Sequence, residues 1–164
     1  MFRIPFVTAC VLSLVFTVAA QADPGGRNRN FRAHLSGDEE VADVETLAQG
    51  QFVLQLSKDG SELVFLLIVA NIEDVLQAHI HLAPEGVNGP IVAWLYPSGP
   101  PPMLIPGRSD GILATGVILE EDLVGPLAGM SLDDLVAAMR AGLTYVNVHT
   151  LGFGGGEIRG QIED

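Results

Sequence analysis

The chain has 164 residues, a formal charge of −12 and a sequence pI near 4.5. That length fits one domain, and the acidic excess argues against nucleic acid or an anionic membrane surface as a partner. It favours cations or a basic partner, although solvation of the surface accounts for such a charge by itself.

The front end reads as a targeting segment. Arg3 supplies a short basic start, Val7 to Ala20 is apolar, and Ala20-Gln21-Ala22 gives a small-x-small cleavage pattern. Residues 1–22 are therefore expected to be a secretory signal peptide, cut after Ala22. The apolar run is short for a transmembrane helix and no second run of membrane length follows. The mature protein is expected in the periplasm or secreted, with no membrane contact. Val7-Thr8-Ala9-Cys10 resembles a lipobox, but the apolar segment continues past Cys10 to Ala20, where a lipidated cysteine would end it. Cys10 is the single cysteine. Its removal leaves no disulfide, no thiolate ligand and no cysteine nucleophile. Loss of Arg3 makes the net charge one unit more negative.

Residues 23–30, rich in Pro, Gly, Arg and Asn, read as a flexible lead-in to a domain over residues 31–164. Phe31 to Leu35 alternates, with Phe31, Ala33 and Leu35 inward and Arg32 and His34 outward. A turn at Ser36-Gly37-Asp38 precedes a possible short strand at Glu39-Glu40-Val41. Gln49 to Ser57 is a strand with Phe52, Leu54 and Leu56 on one face. Asp59-Gly60 supplies the positive φ of a tight hairpin. Glu62 to Ala70 is apolar on both faces and so reads as central. Strands are also expected at Gln77 to Leu82, Pro90 to Tyr96, Gly111 to Leu119, Thr144 to Thr150 and Glu157 to Ile162. The proline-rich stretch from Pro97 to Gly107 is expected to be irregular. Ser131 is an N-cap with Asp133 and Asp134 in the first turn. Leu135, Val136 and Met139 follow at helical spacing, and Gly142 stops the segment. About eight strands and one short helix predict an all-β, antiparallel Greek-key or immunoglobulin-like sandwich or barrel.

The chemistry concentrates in Gln77-Ala78-His79-Ile80-His81-Leu82. Alternation sends Ala78, Ile80 and Leu82 inward, and His79 and His81 together to the opposite face, about 6.6 Å apart along the strand. Imidazoles so placed can reach one ion at about 2.0–2.1 Å by side-chain rotation. In Thr144 to Thr150, Val146 and Val148 point inward, while Tyr145, Asn147 and His149 share the other face. If the two strands are neighbours, His79, His81 and His149 form a three-histidine site suited to copper or zinc. Donor nitrogens converging within about 4 Å would make chelation the leading reading. The alternative is that these histidines hydrogen-bond turn carbonyls or sit wet on a polar face. His34 faces outward near the N-terminal edge, and a fourth-ligand role for it is the lesser reading. Tyr145 and Asn147 either orient the imidazoles or satisfy neighbouring backbone. Glu157 and Arg159 share a face and suit an ion pair or a fork onto a buried carboxylate. Gly152 to Gly156 lacks the Lys-Ser/Thr of a phosphate loop, and no nucleophile elbow is present.

Several blocks together carry a family likeness. They are Phe31-x-Ala33-x-Leu35-Ser36-Gly37 with Glu40-Val41, then Thr46 and Gly50, then Ala78-His79-Ile80-His81 and Gly86-x-x-Gly89-Pro90-Ile91-Val92. The last and most specific are Gly142-x-Thr144-Tyr145-Val146-Asn147-Val148-His149-Thr150 and Gly156-Glu157-Ile158-Arg159-Gly160-Gln161. Through nearly all of its mature length the chain resembles the chordin-type (CHRD) domain of secreted animal and bacterial proteins. The resemblance implies an immunoglobulin-like β-barrel with a limited likeness to copper/zinc superoxide dismutases. That likeness is local: a His-x-His strand and a later strand ending in histidine. Two metals would need more imidazoles and an aspartate, and the chain has four histidines in all.

Three functions follow in order: an exported binding module holding a transition metal through His79, His81 and His149; a protein-interaction domain with structural histidines and an extracytoplasmic protein partner; and, last, a superoxide dismutase-like enzyme. No catalytic residue is assigned.

Overall fold

The computed structural model describes residues 28–164. The expected signal peptide, and the lead-in before Asn28, lie outside the described residues. Seven strands form: β1 Asn30–Ser36, β2 Gln49–Leu56, β3 Leu63–Leu82, β4 Ile91–Tyr96, β5 Ile105–Ile118, β6 Thr144–Thr150 and β7 Ile158–Gln161. Among the described residues one α-helix, α1, spans Leu132–Arg140 between β5 and β6. The Ser131 hydroxyl caps it by accepting from the Asp134 N–H, and the Asp134 carboxylate accepts in return from the Ser131 N–H. This reciprocal pair satisfies two otherwise orphaned donors. The end of the lead-in is already held, since the Leu56 N–H donates to the Arg29 carbonyl.

All strand pairs are antiparallel, and the order β2-β1-β7-β6-β3 closes on itself through β2–β3 pairing. The result is a five-stranded barrel, not the Greek-key sandwich that stood as its alternative. β4 and β5 extend the sheet outside the closed circuit.

The strand count is seven because two expected strands, Glu62 to Ala70 and Gln77 to Leu82, are one 20-residue strand. Asn71 and Asp74 hold positive φ (57° and 52°) within it, and pairing with β5 shifts register on either side. Asn and Asp tolerate this left-handed conformation better than other non-glycine residues. The bend is tied to β5 by Asn71 N–H donating to Asp110 and Gly107 N–H donating to Asp74. β5 accordingly begins at Ile105, inside the segment expected to be irregular, and Glu39 belongs to a 3₁₀ turn over Gly37–Glu39 instead of a short strand.

The bend makes barrel closure possible. β2 pairs with Leu63 to Ala70 and β6 with Val75 to Leu82, while along the far edge of β3 β5 pairs from Leu63 to Val75 and β4 from Ala78 to His81. One strand therefore serves successively as the neighbour of β2 and of β6. Inside the barrel, Phe31, Leu35, Phe52, Leu54, Leu67, Ile80, Val146 and Val148 are buried together. The first half of β3 is central by pairing, but its outer face is open: Val64 and Ile68 are exposed there. Among the described residues no layer covers that side, so its apolar outer residues stay in solvent.

Candidate metal centre

Period-two alternation along β3 and β6 places the three histidines on the outside of the barrel wall. The register sets Gln77 opposite His149, His79 opposite Asn147, and His81 opposite Tyr145. His79 and His149 are thus diagonal neighbours across the strand pair, within reach of long or aromatic side chains. Their ring centroids lie 5.1 Å apart, with 5.5 Å between His79 and His81 and 5.9 Å between His81 and His149.

Outside the barrel does not mean exposed. His79 has 0% of its surface accessible, and His81 and His149 have 7% each. The loops after β3 and β6 fold over them, and Trp94 of β4 meets the His79 ring edge-on at 4.3 Å. The rings are therefore not wet on a polar face.

Two of the three tautomers follow from single contacts. Nδ1 of His81 lies 2.9 Å from the Gly89 carbonyl, and Nδ1 of His149 lies 3.2 Å from the Gly154 carbonyl. A carbonyl can only accept, so each Nδ1 carries the proton and each Nε2 is left with its lone pair. Both Nε2 atoms are buried without a partner, as are both ring nitrogens of His79. An unsatisfied buried polar atom is costly, and three rings that share one small region concentrate that cost. One ligand atom from each ring lies within 4.8 Å of the others. This is wider than the expected 4 Å. Facing lone pairs repel, and an ion bound at about 2.0–2.1 Å would draw its donors to roughly 3.3–3.5 Å apart. The donors would therefore close by up to about 1.3–1.5 Å on binding one ion.

The electrostatics favour neutral imidazoles. Burial, then the neighbouring His149 and His81, lower His79 from 6.5 to about 3. Burial, then His81, lower His149 to about 4, against the opposing pull of the Gly154 carbonyl. Burial also lowers His81; the Gly89 carbonyl opposes this and the Arg159 guanidinium reinforces it. Neutral imidazole is the form that binds metal.

The family model of the CHRD domain matches residues 31–162. The chain belongs to the CHRD domain family. The matched span holds the barrel and all three histidines. No curated protein and no solved structure matches the chain.

In this CHRD domain the histidines are set in place by the residues of the two most specific motif blocks. Tyr145 stacks on His81 with a centroid separation of 4.8 Å, and its hydroxyl accepts from the Gly89 N–H. It thereby holds the loop whose carbonyl orients His81. Arg159, buried and one strand further along, places its guanidinium 3.5 Å from the Tyr145 ring centre. It donates to the carbonyls of Pro84 and Val87. The expected Glu157–Arg159 pair is not made. Glu157 instead accepts from the hydroxyls of Thr46 and Thr150, both at 2.7 Å, and Arg159 forks onto loop carbonyls. Glu157 lies just before β7 and is held by Thr46 and by Thr150 at the end of β6, whereas Arg159 within β7 reaches the loop after β3.

Asn147 donates to Glu40 at 3.4 Å. Burial raises the Glu40 carboxyl to about 7, against the opposing effects of Arg159 and Asn147. Gly156, at φ 126°, passes so close to both side chains that any Cβ would collide with them. His34 faces Gln51 across β1–β2, away from the cluster. Sequence reasoning missed Trp94, the Gly89 and Gly154 carbonyls, and Glu40. Their roles depend on register and loop path, which no local pattern encodes; only the Gly86-x-x-Gly89-Pro90 block hinted at a constrained loop.

Proposed function

We propose that this CHRD domain is an exported module that binds a transition metal ion, copper or zinc, through His79, His81 and His149. The supporting observation is the fixed tautomer pair. His81 and His149 spend Nδ1 on backbone carbonyls and leave Nε2 buried beside a third imidazole that has no partner at all. Second contacts of this kind orient metal-binding histidines and fix which nitrogen ligates. Titration of the metal-stripped protein with Cu or Zn should give one ion per chain, and His79→Ala plus His149→Ala should abolish it. Unchanged stoichiometry in that double variant refutes the site. Export is tested separately: N-terminal sequencing of protein from the extracytoplasmic fraction should begin at Asp23.

A protein-interaction role is the second reading. It is favoured by the open outer face of β2, β3 and β5, where Val53, Val64, Ile68, Ile112 and Val117 are exposed. A partner captured equally with and without chelator, and lost on Ile112→Lys, would support it.

A further inference from the structure

We propose, on the reading that the three histidines hold a metal, that the ion is monovalent copper, bound by three imidazoles alone in a trigonal site. The donor set carries no charge. Among the described residues, no carboxylate or thiolate joins the group. The buried Glu157 is committed to two threonine hydroxyls, and Glu40 is directed to Asn147. A dication here would keep its whole charge. In a continuum picture the cost of removing an ion from water rises with the square of its charge, so it is about fourfold greater for a dication than for a monocation.

The surroundings add to this preference. Strand order places Tyr145 between His81 and Arg159, with the guanidinium on its ring. A fixed positive charge thus sits one ring away from a ligand, which penalises a second cation in proportion to that cation's charge. The ligand nitrogens themselves are closed to solvent: the unpartnered Nε2 atoms of all three rings have almost no accessible surface. Zinc bound by three histidines completes a tetrahedron with water or an anion in an open position, and cupric ion takes tetragonal sets of nitrogen and oxygen ligands. Trp94 packs at a right angle to the His79 ring, 4.3 Å between centroids, and adds to the enclosure of that imidazole. Cuprous ion is d¹⁰, has no ligand-field demand for a fourth donor and is stable with three nitrogens. Binding forms three Cu–N bonds and changes no oxidation state.

The test is competition on the metal-stripped protein, purified as its host processes it, under anaerobic conditions. Cu(I) is presented as its bicinchoninate complex with ascorbate, and Zn(II) and Cu(II) against chromophoric chelators. The expected result is one Cu(I) per chain, held at least about a thousandfold more tightly than Zn(II). The X-ray absorption edge should be that of a three-coordinate, nitrogen-ligated cuprous ion, a readout that needs no variant to fold. Tight Zn(II) or Cu(II) binding with weaker Cu(I), or a four-coordinate edge, overturns the inference and leaves the three-histidine site standing. Failure of all three ions to bind overturns both.

Discussion

Removing metal and lowering the pH tests whether the three imidazoles are held neutral. Unfolded histidine takes up its proton near 6.5, whereas folded His79 and His149 do so near 3 and 4. Between those limits the unfolded chain binds more protons than the folded one, so stability must fall as pH falls. The stabilisation is present above 6.5 and is lost progressively down to the folded values. Going from pH 7 to pH 5, each of these two histidines should cost about 2 kcal/mol, and His81 acts in the same direction. Glu40 runs the other way. Its carboxyl is raised from 4.5 to about 7, so the folded state binds the extra proton. Its contribution is complete below 4.5 and is lost as pH rises through 7; over the same two pH units it returns about 2 kcal/mol.

His79, His149 and Glu40 together should therefore cost the chain about 2 kcal/mol between pH 7 and pH 5, His81 adds to that loss, and Glu40→Gln should enlarge it by about 2 kcal/mol. Urea unfolding with chelator present, followed by far-ultraviolet circular dichroism, measures both quantities. A loss that Glu40→Gln leaves unchanged would refute the burial argument for Glu40. Stability flat over this range in the Glu40→Gln chain would mean that the histidines protonate in the folded state, and the neutral cluster would be wrong.

Arg159→Met strands the Pro84 and Val87 carbonyls, so thermal or urea unfolding should show a loss of about 2–6 kcal/mol, about 1–3 for each unsatisfied acceptor. In Gly89→Ala, a Cβ would run into the Leu82 carbonyl. The loop must shift, withdrawing the His81 Nδ1 partner, and metal affinity by chelator competition should drop about 10–100-fold. Metal affinity itself should change by less than about tenfold between pH 7 and pH 5, because His79 and His149 are already neutral throughout that range. A steep fall centred near 6.5, the behaviour of ordinary solvated histidines, would contradict the burial.

Alternation was enough to say which way each side chain of β3 and β6 points, since the period of a strand is two whatever surrounds it. The inward set of Ala78, Ile80, Val146 and Val148 and the outward set of His79, His81 and His149 both follow from it. What alternation does not carry is depth. The same outward direction leaves Val64 and Ile68 exposed in the first half of β3, yet leaves His79 with no accessible surface in the second. The difference lies in the loops after β3 and β6, whose paths are fixed by long-range contacts such as Arg159 to Pro84 and Thr46 to Glu157, 75 and 111 residues apart in the chain. The strand count was missed at the same level, although the all-β antiparallel barrel was among the expectations. The bend at Asn71 and Asp74 looks like a strand end, because a left-handed residue usually is one. β5, bonding across the bend through Asp110 and Gly107, and Leu151, whose N–H donates to the Asp74 carbonyl, hold the strand continuous.

This continuity bears on the site. If Leu63 to Ala70 and Gln77 to Leu82 were separate strands joined by a loose turn, the register of the second half against β6 would be free to slip. A slip of one residue would send both histidines into the barrel. With the two halves rigidly joined, β2 pairing at one end fixes β6 pairing at the other, and the diagonal between His79 and His149 is set by the barrel itself. The loops then have one task, to exclude water and supply two carbonyls. Loop substitutions should accordingly alter affinity while leaving ligand identity intact. Substitutions at the Asn71–Asp74 bend should scatter the ligands and lower barrel stability together.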